Sequence, residues 1–130
     1  MDKTMNERRL HFLFVTDLKT PVWQPILTEA LAGWGAVEAV AETEAVTRVR
    51  QDEPNVWPVV LIDASQCHDA VKLVESLHAE FPALPIVVLT ALPNLRLLRS
   101  VYRAGARDCL KMSLDARALR QSLAPVLTPN

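Results

Sequence analysis

The chain has 130 residues, half of them hydrophobic, and a formal net charge of -1. That length suits one domain around one core, and the near-neutral charge argues against a dedicated nucleic-acid binder. No stretch is long and apolar enough to span a bilayer, and the N-terminus from Met1 to Arg9 lacks the apolar centre of a signal peptide. With only Cys67 and Cys109 there is no disulfide framework, so a reducing cytoplasm is the expected setting.

Strands and helices alternate along the chain. Leu10 to Val15 reads as a first strand, and a helix is expected from about Pro21 to Trp34, with Pro21 or Pro25 in its first turn and Gly33 and Gly35 closing it. A weaker second strand, Ala36 to Val40, leads to a short helix opened by Glu42 or Thr43 and ending near Gln51. The turn at Pro54-Asn55 precedes the most apolar strand, Pro58 to Ile62. Ala70, Leu73, Val74, Leu77 and Phe81 recur at helical spacing and predict a third helix from Asp69 to Phe81. Pro85 to Leu89 is strand four, and Asn94 to Ala104 is helix four, with Gly105 placed to end it. Arg107 to Met112 is a short fifth strand, and Leu114 to Leu123 a fifth helix capped by Ser113. Five βα units with no linker predict one parallel α/β domain over residues 1–130, with its ordered core near 10–124.

Three of the strands stop on polar residues. Val59-Val60-Leu61-Ile62 runs into Asp63, His11 to Val15 runs into Thr16-Asp17, and Pro85 to Leu89 runs into Thr90. In open parallel sheets chemistry collects at the carboxyl ends of strands, near the point where strand order reverses. Two acids and a hydroxyl at that edge are a candidate site.

Val87-Val88-Leu89-Thr90-Ala91, followed by Tyr102-Arg103-Ala104-Gly105-Ala106-Arg107-Asp108-Cys109-Leu110, resembles the receiver domain of bacterial two-component response regulators. The resemblance covers nearly the whole chain. It implies the flavodoxin-like (βα)5 fold, a five-stranded parallel sheet of order 2-1-3-4-5 with helices on both faces. It places Asp63 at the phospho-accepting aspartate, Asp17 at one of the acidic pair that holds Mg²⁺, and Thr90 at the hydroxyl that contacts the phosphoryl group. The backbone carbonyl of Ser65 is a further Mg²⁺ ligand by the same resemblance, and Asp63 itself completes the set. Phosphoryl transfer needs these types: an oxygen nucleophile, a cation to neutralise charge, and donors aimed at the phosphoryl oxygens.

The departures from the family pattern are specific. Thr16 replaces the first acid of the pair. Read without a gap, Met112 falls on the family's strand-five lysine, and Lys111, its neighbour, should point to the opposite face unless a bulge intervenes. Cys109 replaces the switch aromatic and reads as a small buried hydrophobe. The loop from Ala64 to Ala70 lacks the family's Pro and Gly and looks a few residues short. Together these substitutions describe an atypical receiver, with slow phosphate uptake and a weakened switch.

Charge is uneven. From Leu92 to Ala124 seven basic residues stand against Asp108 and Asp115, a balance of +5 that leaves -6 for the remainder. The resemblance implies a sensor histidine kinase or phosphotransfer protein as phosphate source. It also implies homodimer or output contacts through the face of helix four, strand five and helix five. That face is expected to expose Leu95, Leu98, Arg99, Tyr102, Arg103, Lys111 and Arg117. No membrane contact is expected, and nucleic acid only through an effector domain absent from the chain. Ending at Pro129-Asn130, the sequence reads as a single-domain regulator or the N-terminal piece of a longer one.

The alternative is a phosphorylation-independent pseudo-receiver, a dimerisation or docking domain of a transcription regulator. An unrelated flavodoxin-like enzyme is disfavoured: the glycines are only Gly33, Gly35 and Gly105, too few for a phosphate loop, and no Ser-His-Asp or Cys-His series is suggestive. Cys67 and His68 are a poor metal signal, and His11 and His78 show no arrangement. Trp23, Trp34 and Trp57 are expected to pack at element ends.

Overall fold

The computed structural model describes residues 9–19 and 21–127; the signal-peptide reading of the N-terminus and the reading of Pro129-Asn130 lie outside them. The elements are β1 (Arg9–Val15), α1 (Gln24–Ala30), β2 (Gly35–Val40), a 3-10 turn (Glu42–Glu44), α2 (Ala45–Arg50), β3 (Val56–Asp63), α3 (Ala70–Glu80), β4 (Ile86–Thr90), α4 (Leu95–Ala104), β5 (Asp108–Lys111) and α5 (Ala116–Leu127). The five strands pair in parallel in the order β2-β1-β3-β4-β5. This is the flavodoxin-like arrangement, with the reversal of strand order between β1 and β3.

Alternation of side chains divides the core in two. Phe12, Phe14, Val59, Leu61, Val87 and Leu89 pack against Leu27 and Ala30 of α1 and Leu119 and Leu123 of α5. Leu13, Val15, Val60, Ile62, Ile86 and Val88 pack against α2, α3 and α4 through Val49, Val74, Leu77 and Val101. Each such side chain, fully buried, contributes about 1.5–3 kcal/mol of transfer free energy. This two-sided burial is why β3 and β4 read as continuous apolar runs.

Several boundaries differ from the sequence reading. The first helix is shorter, because Leu31 to Trp34 form turns before Gly35, where a Cβ would meet the Leu10 carbonyl. β3 starts earlier and includes Pro58, tolerated because β4 pairs with β3 only from Val60 onward. The last helix begins at Ala116, not Leu114. Its cap is Asp115, whose carboxylate accepts from the N–H groups of Arg117 and Ala118, while Ser113 accepts only from the N–H of Asp115. Asp69 and Asn94 cap α3 and α4 by accepting from Lys72 and Leu97 N–H. Gly105 closes α4 with φ of 120° against the His78 ring.

His11 does have an arrangement. Its Nδ1 lies 3.0 Å from the Asp52 carboxylate and its Nε2 3.1 Å from Glu38, whose oxygens also accept from Arg48. This cluster fastens α2 to the β1–β2 edge. Burial is nearly complete at Asp52, and Glu38 is half-exposed. Trp34 packs at an element end as expected, with the Arg120 guanidinium 4.0 Å above its ring.

Candidate functional site

Register determines which strand-end residues meet. Val15 pairs with Ile62, so Thr16 and Asp63, one step further on, stand side by side on one face at the carboxyl edge. The Thr16 hydroxyl donates to Asp63 Oδ2 at 3.4 Å. Two residues past Asp63, Ser65 donates both its N–H (3.1 Å) and its hydroxyl (2.7 Å) to Oδ1. Asp63 is 1% exposed, and Thr16 and Thr90, at the carboxyl ends of β1 and β4, are buried as well. A buried carboxylate needs such donors to replace the water it has lost. The turn that supplies them is closed by Gln66 N–H donating to the Asp63 carbonyl.

Asp17 follows directly, half-buried, with one oxygen accepting from Lys19 N–H. Thr90 ends β4, and Asp63 pairs with Leu89, so the Thr90 side chain leaves the sheet on the face opposite Asp63. Its hydroxyl accepts from Leu92 N–H at 3.3 Å and its carbonyl from Met112 N–H at 2.8 Å. The edge therefore joins Asp63, Thr16 and Ser65 by hydrogen bonds, with Asp17 and Thr90 adjoining along their strands.

The register of β4 with β5 runs uninterrupted from Val87–Asp108 to Thr90–Lys111, so no bulge returns Lys111 to the Asp63 side. Lys111 is exposed, whereas Met112 is 5% exposed within the apolar cluster that includes Phe14, Leu61, Leu89 and Ala116. Among the described residues no ion pair is made to Asp63. Cys109 is buried in the opposite cluster, as its small apolar character predicts.

One contributor was not legible in the sequence. Glu42, beyond β2, accepts from the N–H groups of His68 and Asp69 at 2.5 and 2.9 Å and so anchors the loop that follows Asp63. Its only sequence signal was a position opening the second helix. The same loop carries Cys67, whose thiol is pushed up to about 12 by burial, with the charges of Glu42 and Asp63 adding to it. It is an inert thiol. Among the described residues no group of three or more His, Cys, Asp or Glu is placed to hold a metal ion. Mg²⁺, which keeps several waters and needs one or two carboxylates, still fits the donor chemistry of Asp63, Asp17 and the Ser65 carbonyl.

No protein-family profile matches the chain. It is similar to the transcriptional regulatory protein ZraR of Salmonella typhimurium, with 31% identity over 105 residues, 78% of this chain and 23% of that protein. Its similarity to ZraR of Escherichia coli is 30% over 105 residues. The chain thus spans less than a quarter of the length of these relatives. In structure it resembles a response regulator from Thermotoga maritima, with a TM-score of 0.75 at 19% identity, covering 94% of this chain and 99% of that one. A LuxR family DNA-binding response regulator from Silicibacter pomeroyi gives a TM-score of 0.69 at 20% identity, covering 91% of each chain. A CheY-like receiver domain protein from Methanospirillum hungatei gives 0.68 at 17%, covering 91% of this chain and 92% of the other. By its strand order and these similarities, the chain has the fold of the CheY-like receiver domains of response regulators.

Proposed function

We propose that this domain accepts a phosphoryl group on Asp63 in two-component signalling and acts through protein contacts, turning over no metabolite. The observation that carries the reading is the buried Asp63 carboxylate at the strand-order reversal, oriented by Ser65 and Thr16. In the reaction a carboxylate oxygen of Asp63 attacks phosphorus, the donor's phosphorus bond breaks, and an acyl phosphate forms. With a sensor kinase or phosphotransfer protein as donor, the imidazole nitrogen leaves with the electron pair. Asp17, Asp63 and the Ser65 carbonyl would hold Mg²⁺, which when bound neutralises charge on the phosphoryl oxygens. The Thr90 hydroxyl, at the end of β4, is the group this reading assigns to contact with the new dianion. With Met112 and Cys109 in place of lysine and aromatic, the readout is weaker than the family's usual switch. Output or dimer contacts are assigned to the face of α4, β5 and α5. In this reading the domain works in the cytoplasm, where the free thiols Cys67 and Cys109 stay reduced.

A second reading is favoured by the Met112 burial and by the fully hydrogen-bonded Asp63. A carboxylate already satisfied without a cation suits a phosphorylation-independent pseudo-receiver that serves as a docking domain of a transcription regulator.

Intact mass after incubation with Mg²⁺ and acetyl phosphate separates the two, with Asp63→Asn alongside. A single hydroxylamine-labile phosphoryl adduct in the wild type only supports the first reading. An unmodified wild type, under conditions that phosphorylate a control receiver, supports the second.

A further inference from the structure

The face of α4, β5 and α5 is assigned to output contacts, although Leu98, expected to be exposed there, packs against the core. The amino edge of the sheet, at the end of β3 far from Asp63, carries a groove of about 1110 Å³ that the proposed function does not use. Trp57 and Phe81 give it aromatic surface, and five of its lining residues are proline, which has no N–H to offer. Here β3 reaches past the start of β4: Val56 to Val59 pair with β1, whereas pairing with β4 begins at Val60. The Val60 N–H donates to the Pro85 carbonyl, so Val56 and Pro58, at even spacing from it, turn their carbonyls the same way, toward the groove. Neither brings an N–H. Pro58 has none, and that of Val56 donates to the Glu53 carbonyl at 3.2 Å.

The polar groups of the groove are therefore mostly acceptors. Among the described lining residues Arg107 is the one cation, and its Nη1 donates to the Val126 carbonyl at 3.3 Å. Asp52, Glu53 and Asp108 stand against it. Asp52 is answered by His11 and Arg48, but Asp108 accepts only from neutral donors, the Tyr102 hydroxyl and the Cys109 N–H, which leave its charge in place. Glu53 is exposed and forms no ion pair among the described residues. We infer that the groove binds a small organic cation with a planar apolar body and N–H donors. The body lies against Trp57 and Phe81, whose ring faces also attract the charge, and the N–H groups meet Glu53 and the strand carbonyls. An anion of the same shape would face two uncompensated carboxylates against one guanidinium. An added peptide strand would find acceptors without donors along Val56 to Pro58, so strand pairing is blocked. The inference depends neither on phosphoryl transfer at Asp63 nor on the contact face of α4.

The test titrates proflavine, a planar cation with amino N–H groups, into the isotope-labelled full chain and follows amide shifts. Saturable shifts are expected at 52–59, 81–85, 107–108 and 125–127, with anilinonaphthalene sulfonate, an aromatic anion, bound about tenfold more weakly or worse. Glu53→Lys, at an exposed position, should weaken proflavine about fivefold to tenfold and strengthen the sulfonate, with circular dichroism checking the fold. Trp57→Leu should weaken both probes. No saturable binding, shifts centred on the Asp63 edge, a sulfonate bound as tightly as proflavine, or proflavine affinity unchanged in Glu53→Lys overturns the inference. Two other occupants would also overturn it. Nuclear Overhauser contacts from the Met1 or Met5 methyls to Trp57 in the ligand-free protein would place the chain's own first residues in the groove. Sedimentation showing self-association that Glu53→Lys abolishes would make it an interface between copies.

Discussion

Ser65 donates its hydroxyl to Oδ1 of Asp63 over 2.7 Å, only two residues along the chain. The bond lies within the turn after β3, so a carboxylate buried to 1% exposure has its donor supplied locally, before any cation is considered. Ser65→Ala keeps the backbone donor and removes the hydroxyl. It should cost about 1–2 kcal/mol in urea unfolding with an unchanged m-value. Stability equal to wild type would show that water replaces the hydroxyl without loss.

Thr16 supplies the other oxygen's donor from β1. Thr16→Asp sets a second carboxylate beside a buried one, so in EDTA the variant should lose about 1–3 kcal/mol. Mg²⁺ in large excess over its Kd should return about 2–3 kcal/mol to the variant through mass action, and less to the wild type. Thermal unfolding with and without Mg²⁺ reads both. Equal Mg²⁺ responses would argue against metal binding at this edge.

Met112 stands where side-chain alternation aims at the Asp63 side. Met112→Lys should destabilise by about 2–4 kcal/mol, because it places an amine in an apolar cluster. The loss should be larger when Asp63 is also changed to Asn, with a coupling of about 1 kcal/mol or more in the double-mutant cycle. Zero coupling would place the new ammonium out of reach of Asp63.

The bond from Arg48 holds the Glu38 carboxyl below its ordinary value of 4.5, with the Arg48 and His11 charges adding to it against a desolvation that opposes them. A depressed carboxylate stabilises the fold above the unfolded-state pKa, and that contribution disappears as pH falls through the folded value. Wild type should therefore lose stability more steeply than Glu38→Gln as pH falls from about 5 toward 3. Asp52 faces the same cluster, so its own variant is the control. Parallel acid-unfolding curves for wild type and Glu38→Gln would remove Glu38 from the account.

Both thiols are raised by burial, Cys67 to about 12. Folded protein at about pH 8 should resist iodoacetamide at both cysteines, and urea-unfolded protein should take up two labels. Rapid labelling of Cys67 in the folded chain would mean that the loop held by Glu42 opens readily.

What the sequence determined by itself was local. Apolar runs ending in Asp63, Thr16-Asp17 and Thr90, and helical spacing such as Ala70-Leu73-Val74-Leu77, fix the five βα units because side-chain period follows from backbone geometry within a few residues. That period also told Met112 from Lys111, since in an unbulged strand neighbours take opposite faces. Capping was less legible. Ser113 and Asp115 are both good caps, and the packing of Ala116 and Leu119 against the sheet, a long-range matter, selected Asp115. Only the tertiary structure decided which donors reach Asp63 from afar. Thr16 lies 47 residues away and meets it through the register of β1 with β3. Glu42 reaches the loop after β3 across 26 residues, and His11 finds Asp52 across 41. Such pairs have no sequence period, because they are set by how the sheet closes and not by any neighbour along the chain.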